Sequence, residues 1–413
     1  MQPTVFIGLD FGTTFTKIAF RLLPTVRGWL YRLPYSRERR DPFFPSELRF
    51  HPAGRNLSWT LGNHPGGDPV RYFKYALAFD SRNIGFQIAE TMGLAVQEAA
   101  FHCSAFFLGC VLRSVRDRIM NWIHDEHKEI DAVRWAVNMG IPAKTIGNAN
   151  LRDRYLRVLR TAWNMSFRDC CQCGVVPIGA LPPVVSGSDG ELHPDRAAYL
   201  NVFPELFAEI LNCVQNPNMP NGLYTIIDVG GGTMDVATFK KSLNADRHSE
   251  VHCLAECVEP YGAEITKFPH ADWTRPVRSA YGGCVTKARN RCGLNGIPYL
   301  ANDLATGAIG HTWYLTGGGA NADIYPKAIK YMADIHANYG LIRIQRCGKL
   351  TELTAENQFT GPDGGQPDRL IIAQTLAQPP DSIPDVGGFP HIPNPFPPAP
   401  DTSGDFEYLL TDT

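Results

Sequence analysis

Residues 4–21 read TVFIGLDFGTTFTKIAFR. Thr4 to Asp10 is a run of aliphatic, aromatic and β-branched residues that ends on an acid and the turn Phe11-Gly12-Thr13-Thr14. Phe15 to Arg21 then alternates, so the stretch predicts a β-hairpin. The pattern returns further along: Leu223 to Asp228 (LYTIID) is a strand, Val229-Gly230-Gly231-Gly232 a turn, and Thr233 to Lys240 a return strand. A shift of 218 residues lays Asp10 on Asp228, Gly12 on Gly230, Ile18 on Val236 and Ala19 on Ala237. Strand, acid, glycine turn and strand occurring twice at one offset predict two related lobes.

Between and after the hairpins the pattern alternates helix with strand. Tyr72 to Val115 is rich in Ala, Leu, Phe and Gln without Pro and predicts long helices; Val133 to Ile141 predicts a buried strand ended by Pro142. Helices are predicted over Asn150 to Trp163 and Asp195 to Val214. A third strand-to-glycine turn, Trp313 to Ala320 (WYLTGGGA), leads into a helix from Tyr325, and Arg369 to Ala377 predicts a short last helix. From Pro379 to Pro400 there are nine prolines in 22 residues, which predicts an extended arm. The division expected is residues 1–200 for the first lobe with a helical subdomain, 201–378 for the second, and 379–413 for the proline-rich tail.

Composition narrows the function classes. The 413 residues carry 39 Lys+Arg against 41 Asp+Glu, a net charge of −2, with 44% hydrophobic and 19% charged residues. That is globular composition, and it gives no basis for wrapping nucleic acid or an anionic membrane. Arg152, Arg154, Arg157 and Arg160 read as a solvated helix face. The most apolar run, Ala99 to Leu112, carries His102 and is shorter than the ~20 residues of a spanning helix. No basic flank precedes an apolar stretch at the N-terminus, and Asp10 interrupts it, so no secretory signal is read there. Eleven unevenly spread cysteines predict reduced thiols and a cytoplasmic protein. Cys170, Cys171 and Cys173 with His252, Cys253 and Cys257 invite a zinc reading, but only Cys170-x-x-Cys173 has paired spacing, and buried thiols are the reading adopted.

A glycine turn at the end of a strand lets backbone amides approach a phosphate, and threonine hydroxyls add donors. Phosphates bring a divalent cation, and a strand-end carboxylate can hold that ion's hydration shell. Two such turns facing each other would clamp a polyphosphate and its metal; either aspartate alone serves equally well as the cap of a tight turn. Gly317-Gly318-Gly319-Ala320 would allow close approach of a nucleoside. Gly317, Gly319 and Ala322 also match a dinucleotide fingerprint, but no acid follows at about 20 positions and the match is read as accidental. No G-x-x-x-x-G-K-[ST] occurs, so a P-loop is excluded.

Gly8-Leu9-Asp10-Phe11-Gly12-Thr13-Thr14 resembles the first phosphate motif of the actin / heat-shock / sugar-kinase ATPases. Asp228-Val229-Gly230-Gly231-Gly232-Thr233-Met234-Asp235 resembles their second, in the form used by the seventy-kilodalton heat-shock (DnaK-like) chaperones. Leu315 to Ala320 resembles the adenosine motif, and Asn138 to Ala143 a strand ending in a proline turn. The resemblance covers residues 4 to 378. It implies an α/β, actin-like ATPase fold of two duplicated ribonuclease-H-like lobes, binding ATP or ADP with Mg²⁺. It also implies that Asp10, Asp228 and Asp235 hold the hydrated Mg²⁺ and the attacking water. Gly12, Thr13, Thr14, Lys17, Gly230, Gly231, Gly232 and Thr233 would contact phosphates, and Gly317, Gly318, Gly319 and Ala320 the nucleoside. Lys74 is the counterpart of the family's catalytic lysine, or a solvated lysine at a helix start, and Glu191 stands where the family carries a metal-side glutamate. The sequence departs in having Asn321-Ala322-Asp323 after the adenosine motif instead of an adenine-stacking arginine. No substrate domain follows in the sequence. The expectation is therefore an ATP-driven switch that binds a protein partner, with a sugar-type kinase (for which Lys17 has the spacing) and a filament-forming ATPase as the alternatives.

Overall fold

The computed structural model describes residues 2–23, 30–32, 43–60, 66–79, 86–143, 148–192, 198–215, 219–243, 249–267, 274–280, 282–284, 311–320, 322–337, 342–343, 371–379 and 386–387. The hairpin of the opening is β1 (Thr4–Phe11) and β2 (Phe15–Leu23), antiparallel, with Asp10 opposite Lys17 and Gly8 opposite Ala19. Its repeat is β11 (Gly222–Val229) and β12 (Met234–Leu243), with Asp228 opposite Asp235 and Ile226 opposite Ala237. The 218-residue shift therefore preserves the register of the ladder, pair for pair.

Each hairpin nucleates a sheet of the same strand order. In the first, β8 (Arg134–Ile141) lies parallel to β1, β10 (Ala198–Pro204) lies parallel to β8, and β3 (Leu30–Arg32) and β4 (Phe43–Pro45) pair with β2. In the second, β14 (His311–Thr316) lies parallel to β11 and β15 (Ile342–Arg343) to β14, while β13 (Ser249–Glu259) runs antiparallel to β12. The fold is α/β. A separate four-stranded sheet joins β5 (Leu48–His51), β6 (Asn56–Ser58), β7 (Asp68–Val70) and β9 (Val175–Pro177).

Helices cover both faces of both sheets, which is why the first strands are buried along their whole length. Val5, Ile7, Leu9 and Phe11 join the core under α3 (Val96–Glu126), whose residues Ala99 to Leu112 are buried all round. α3 is long and apolar enough to cross a membrane, and 83% of its most apolar window is buried inside this protein. α4 (Ala149–Met165) packs on α3 through Leu151, Tyr155, Val158, Leu159 and Ala162, the spacing of one helix face. Its start is capped by the Asn148 side chain, which accepts from the Leu151 amide at 3.1 Å.

On the opposite face of the first sheet lies the short helix Ile371–Leu376, packed against β1, β2 and α7 (Glu205–Gln215). α7 in turn packs on β11, β12 and β13. These two helices fill the layer between the sheets, with Phe203, Leu206, Ile210, Tyr224, Ile226, Phe239, Ile371 and Leu376 in one core. The outer face of the second sheet is closed by helical residues 274–280 and the helix Ile324–Ala337, through Val277, Ala280, Tyr325 and Ala328.

Two expectations change, and a third is not reached by the described residues. The stretch 195–214 is not one helix: Ala198–Pro204 extends the first sheet, its Tyr199, Val202 and Phe203 suiting a strand, and α7 begins only after Pro204. The first sheet therefore runs to Pro204. Tyr72–Val115 divides into α1 (Phe73–Ala78), α2 (Ile88–Met92) and α3, which continues to Glu126. The tail lies outside the described residues except for residue 379 and Val386–Gly387, which form a two-residue strand beside β13.

The helix Ile371–Leu376 docks where β1 has no side chain. A Cβ on Gly8 would lie 1.9 Å from the Ala373 carbonyl oxygen, and Asn138 Nδ2 donates to the Leu376 carbonyl at 2.8 Å. Gly8→Val is expected to undock this helix, lowering the unfolding free energy by about 1–3 kcal/mol. Proteolysis around residues 370–380 should become faster. An unchanged urea midpoint together with unchanged protection would show that the helix does not depend on this seat.

Candidate functional site

Side chains alternate along a strand, so Gly8 and Asp10 share the inner face of β1 while Ile7, Leu9 and Phe11 face α3. By the same alternation Tyr224, Ile226 and Asp228 share the inner face of β11. Both strand-end aspartates therefore look into the layer between the sheets, and both line one cleft.

The two turns that follow them are anchored through their carbonyls. In the first, Ser46 donates its amide to Thr14 O at 2.9 Å and its hydroxyl to Gly12 O at 2.7 Å. In the second, the amides of Gly262, Ala263 and Glu264 reach the carbonyls of Gly232, Gly230 and Gly231 at 3.2, 2.9 and 2.8 Å. The amides of Thr13, Thr14, Gly231 and Gly232 have no protein acceptor among the described residues, and the buried Thr14 Oγ1 has no partner either. Carbonyls tied back and amides left open make an anion-binding concavity.

The turns touch across the cleft. A Cβ on Gly231 would sit 2.1 Å from Thr14 Oγ1, and one on Gly232 2.8 Å from Thr13 Oγ1. The third turn follows β14, with Gly317 at φ +88° and a Cβ position 2.0 Å from Asp228 Oδ1, so only glycine lets it pass the aspartate. Gly319 donates to Val229 O at 2.8 Å, fastening this turn to the end of β11.

Of the residues singled out in the sequence, Asp10, Gly12, Thr13, Thr14, Lys17, Lys74, Asp228, Gly230, Gly231, Thr233, Gly317, Gly318 and Gly319 line the cleft. Gly232 lies beneath Thr13 and Tyr75, and Asp235 is buried opposite Asp228 on the ladder. Ala320 does not line the cleft. Glu191 is exposed and lies outside it; its carbonyl is within 3.5 Å of Asn164 Nδ2. The glutamate beside Lys74 is Glu205, 6% exposed, its Oε1 2.5 Å from Lys74 Nζ. Glu209, one turn further along α7, also lines the cleft, 2% exposed, with Oε2 lacking a partner. Sequence reasoning missed both. The available signal was Pro204-Glu205 just before an apolar helix.

Five carboxylates, those of Asp10, Glu205, Glu209, Asp228 and Asp235, thus gather around two ammonium groups. Lys17 pairs with Asp10. Burial alone would lower the Lys17 pKa, but the paired Asp10, with Asp228 and Glu205 nearby, outweighs it and holds the ammonium charged. Burial pushes Glu205 up, with Lys74 opposing. Burial and then the neighbouring carboxylates push Glu209 and Asp235 well above the usual range. Asp228 is raised to about 7 by burial and then by Glu205, against the pull of Lys17. Such a site disfavours its own full ionisation and attracts a cation.

Among the described residues no three His, Cys, Asp or Glu side chains are arranged to ligate an ion, and the described cysteines form no disulfide. Cys103 is buried and its thiol is pushed up to about 12 by burial. The arginines of α4 are in part structural: Arg154 Nη1 donates to Leu77 O at 2.8 Å, and Arg157 pairs with Asp189. No protein-family model matches this chain, and no curated protein matches it.

The Asp228 shift sets a pH dependence. Its carboxyl ionises near pH 4 in the unfolded chain and near 7 in the fold, so between those values the folded protein holds a proton that the unfolded chain releases. The stability contributed by protonated Asp228 is full below about pH 4 and is lost as pH rises through 7. In thermal melts the ligand-free protein should lose stability over that window, and Asp228→Asn should melt higher than wild type at pH 8 and flatten the profile. A variant that melts lower at pH 8 with an unchanged profile would contradict this.

Proposed function

We propose that this cleft binds ATP with Mg²⁺ and hydrolyses it, within an actin-like fold of two ribonuclease-H-like lobes, and that closure on nucleotide is a switch read by a protein partner. The observation that carries the reading is the convergence of the duplicated hairpins. Two sheets of one strand order, in one register, deliver an aspartate and an open-amide turn each to opposite walls of a single cleft, where a third glycine turn joins them. The DnaK-like heat-shock resemblance of the three motifs agrees with that arrangement.

The residues present suit a metal-bridged polyphosphate. The unpartnered Thr14 hydroxyl and the open amides of both turns suit phosphate oxygens, while the excess of buried carboxylate suits a hydrated cation. Asp10 and Asp228 would hold Mg²⁺ through its water, with Asp235 behind them. When bound, Mg²⁺ supplies charge neutralisation along the phosphates. Lys74, fixed by Glu205, stands at the cleft wall as the cation for the transferring phosphoryl group. Water would attack the γ-phosphorus as the bond to the ADP oxygen breaks, and the walls' contribution is position and preset charge. α7 packs on strands of both sheets and the helix Ile371–Leu376 packs on α7 and on the first sheet, which makes this pair the element that would feel opening and closing. The eleven unevenly spread cysteines suit a reducing compartment, and the cytoplasm is the proposed location.

The test is calorimetric binding of Mg-ATP followed by single-turnover hydrolysis without any acceptor. Asp10→Asn keeps the size and removes the charge, so nucleotide should still bind, while the hydrolysis rate should fall by about 10²-fold or more. Equal rates would remove Asp10 from the chemistry. Absence of nucleotide binding in the wild type would overturn the reading itself. Turnover only with a sugar or polyol would mark a kinase, and ATP-dependent light scattering a filament.

A further inference from the structure

The two hairpins place opposite charges at one backbone station. On the first ladder the residue opposite the strand-end aspartate is Lys17; on the second it is Asp235. Lys17 Nζ is bonded to Asp10 Oδ2, on a carboxylate whose side chain is 3% exposed. Lys74 is committed to Glu205, so Asp10 has its own ammonium while Asp228, Asp235 and Glu209 share the remaining field. Glu209 Oε2 is buried, lines the cleft and has no partner, which points to a positive group that enters from outside.

We propose that Lys17 is a tethered counter-ion that occupies the face of Asp10 a hydrated divalent cation would take, so that lysine and metal compete for one carboxylate. Among the described residues no three side chains are set to ligate an ion directly, so the ion is held through its water and the Asp10 charge decides much of its affinity. The pair makes the empty cleft tolerable, because a buried carboxylate without a cation is costly. It also makes metal entry conditional, because the ion meets an already neutralised Asp10 until the ammonium swings away. Phosphate oxygens are the natural destination for the released ammonium. Only that last step rests on the nucleotide reading; the competition concerns metal alone.

The experiment titrates the nucleotide-free full chain with Mn²⁺, following free ion by electron paramagnetic resonance, for wild type, Lys17→Met and Lys17→Arg. Lys17→Met keeps an unbranched chain and removes the charge, so Mn²⁺ should bind about tenfold tighter or more than to wild type. Lys17→Arg keeps the charge and should match wild type. Equal or weaker binding by a folded Lys17→Met, with circular dichroism as the check, would overturn the proposal. Should that variant fail to fold, the wild type decides: acylation of Lys17 by acetic anhydride, read by mass spectrometry, should rise when Mg²⁺ is added, and an unchanged rate would overturn the proposal. A wild type that ignores Mg-ATP while Lys17→Met gains Mn²⁺ affinity would sink the nucleotide reading and leave this one standing.

Discussion

Burying carboxylates between two sheets is the constraint around which the inner layer is built. Asp10 and Asp228 sit on facing surfaces because each ends the first strand of its lobe on the inward side, and α7 adds Glu205 and Glu209 to the same space. Among the described residues Lys17 and Lys74 answer them. Lys74 is held from several sides: Glu205 binds its ammonium, the Phe11 ring lies 5.9 Å from Nζ, and Tyr155 donates to its carbonyl at 3.1 Å. The backbone leading into α1 takes a left-handed conformation at Tyr72 (φ 64°), an uncommon one for a bulky residue. A lysine fixed this firmly, behind a strained residue, is not one loosely solvated at a helix start.

The duplication was legible because a hairpin is a local object. Strand period, strand-end acid and glycine turn all lie within some twenty residues, and the 218-residue shift survives as ladder register. What lay further apart was harder. Glu205 reads as one more acid at a helix start; its meaning comes from Lys74, 131 residues away. The error over 195–214 had the same root: Ala198–Pro204 becomes a strand because β8 offers it an edge, and that partner is sixty residues upstream. β13 also escaped notice, since its run from Ser249 to Glu259 mixes charged and apolar residues and its pairing with β12 shifts register at Thr238/Phe239. The small sheet of β5, β6, β7 and β9 is built from three- and four-residue strands too short to show a period.

Within the repeated strand order and register the two halves are unequal. The station opposite the aspartate became Lys17 in one lobe and Asp235 in the other, so one carboxylate is compensated internally and its counterpart is left among like charges. The anchoring of the turns diverged as well. Ser46, beside the short strand Phe43–Pro45, holds the first turn, whereas a backbone segment at 262–264 holds the second.

Those anchors hold the two turns in shape from behind. A glycine-rich turn left to itself samples many conformations, and ordering it on binding would cost part of the affinity gained. Here each turn's carbonyls are tied from behind, by Ser46 on one side and by three successive amides on the other, so the open amides are set in place beforehand. The same fastening fixes the peptide dipoles with their positive ends unspent, opposite a layer of carboxylates with too few cations. Donors without acceptors and acids without cations, in one cleft, are complementary deficits. The proposed ligand, an anion carrying its own divalent cation, would fill both at once.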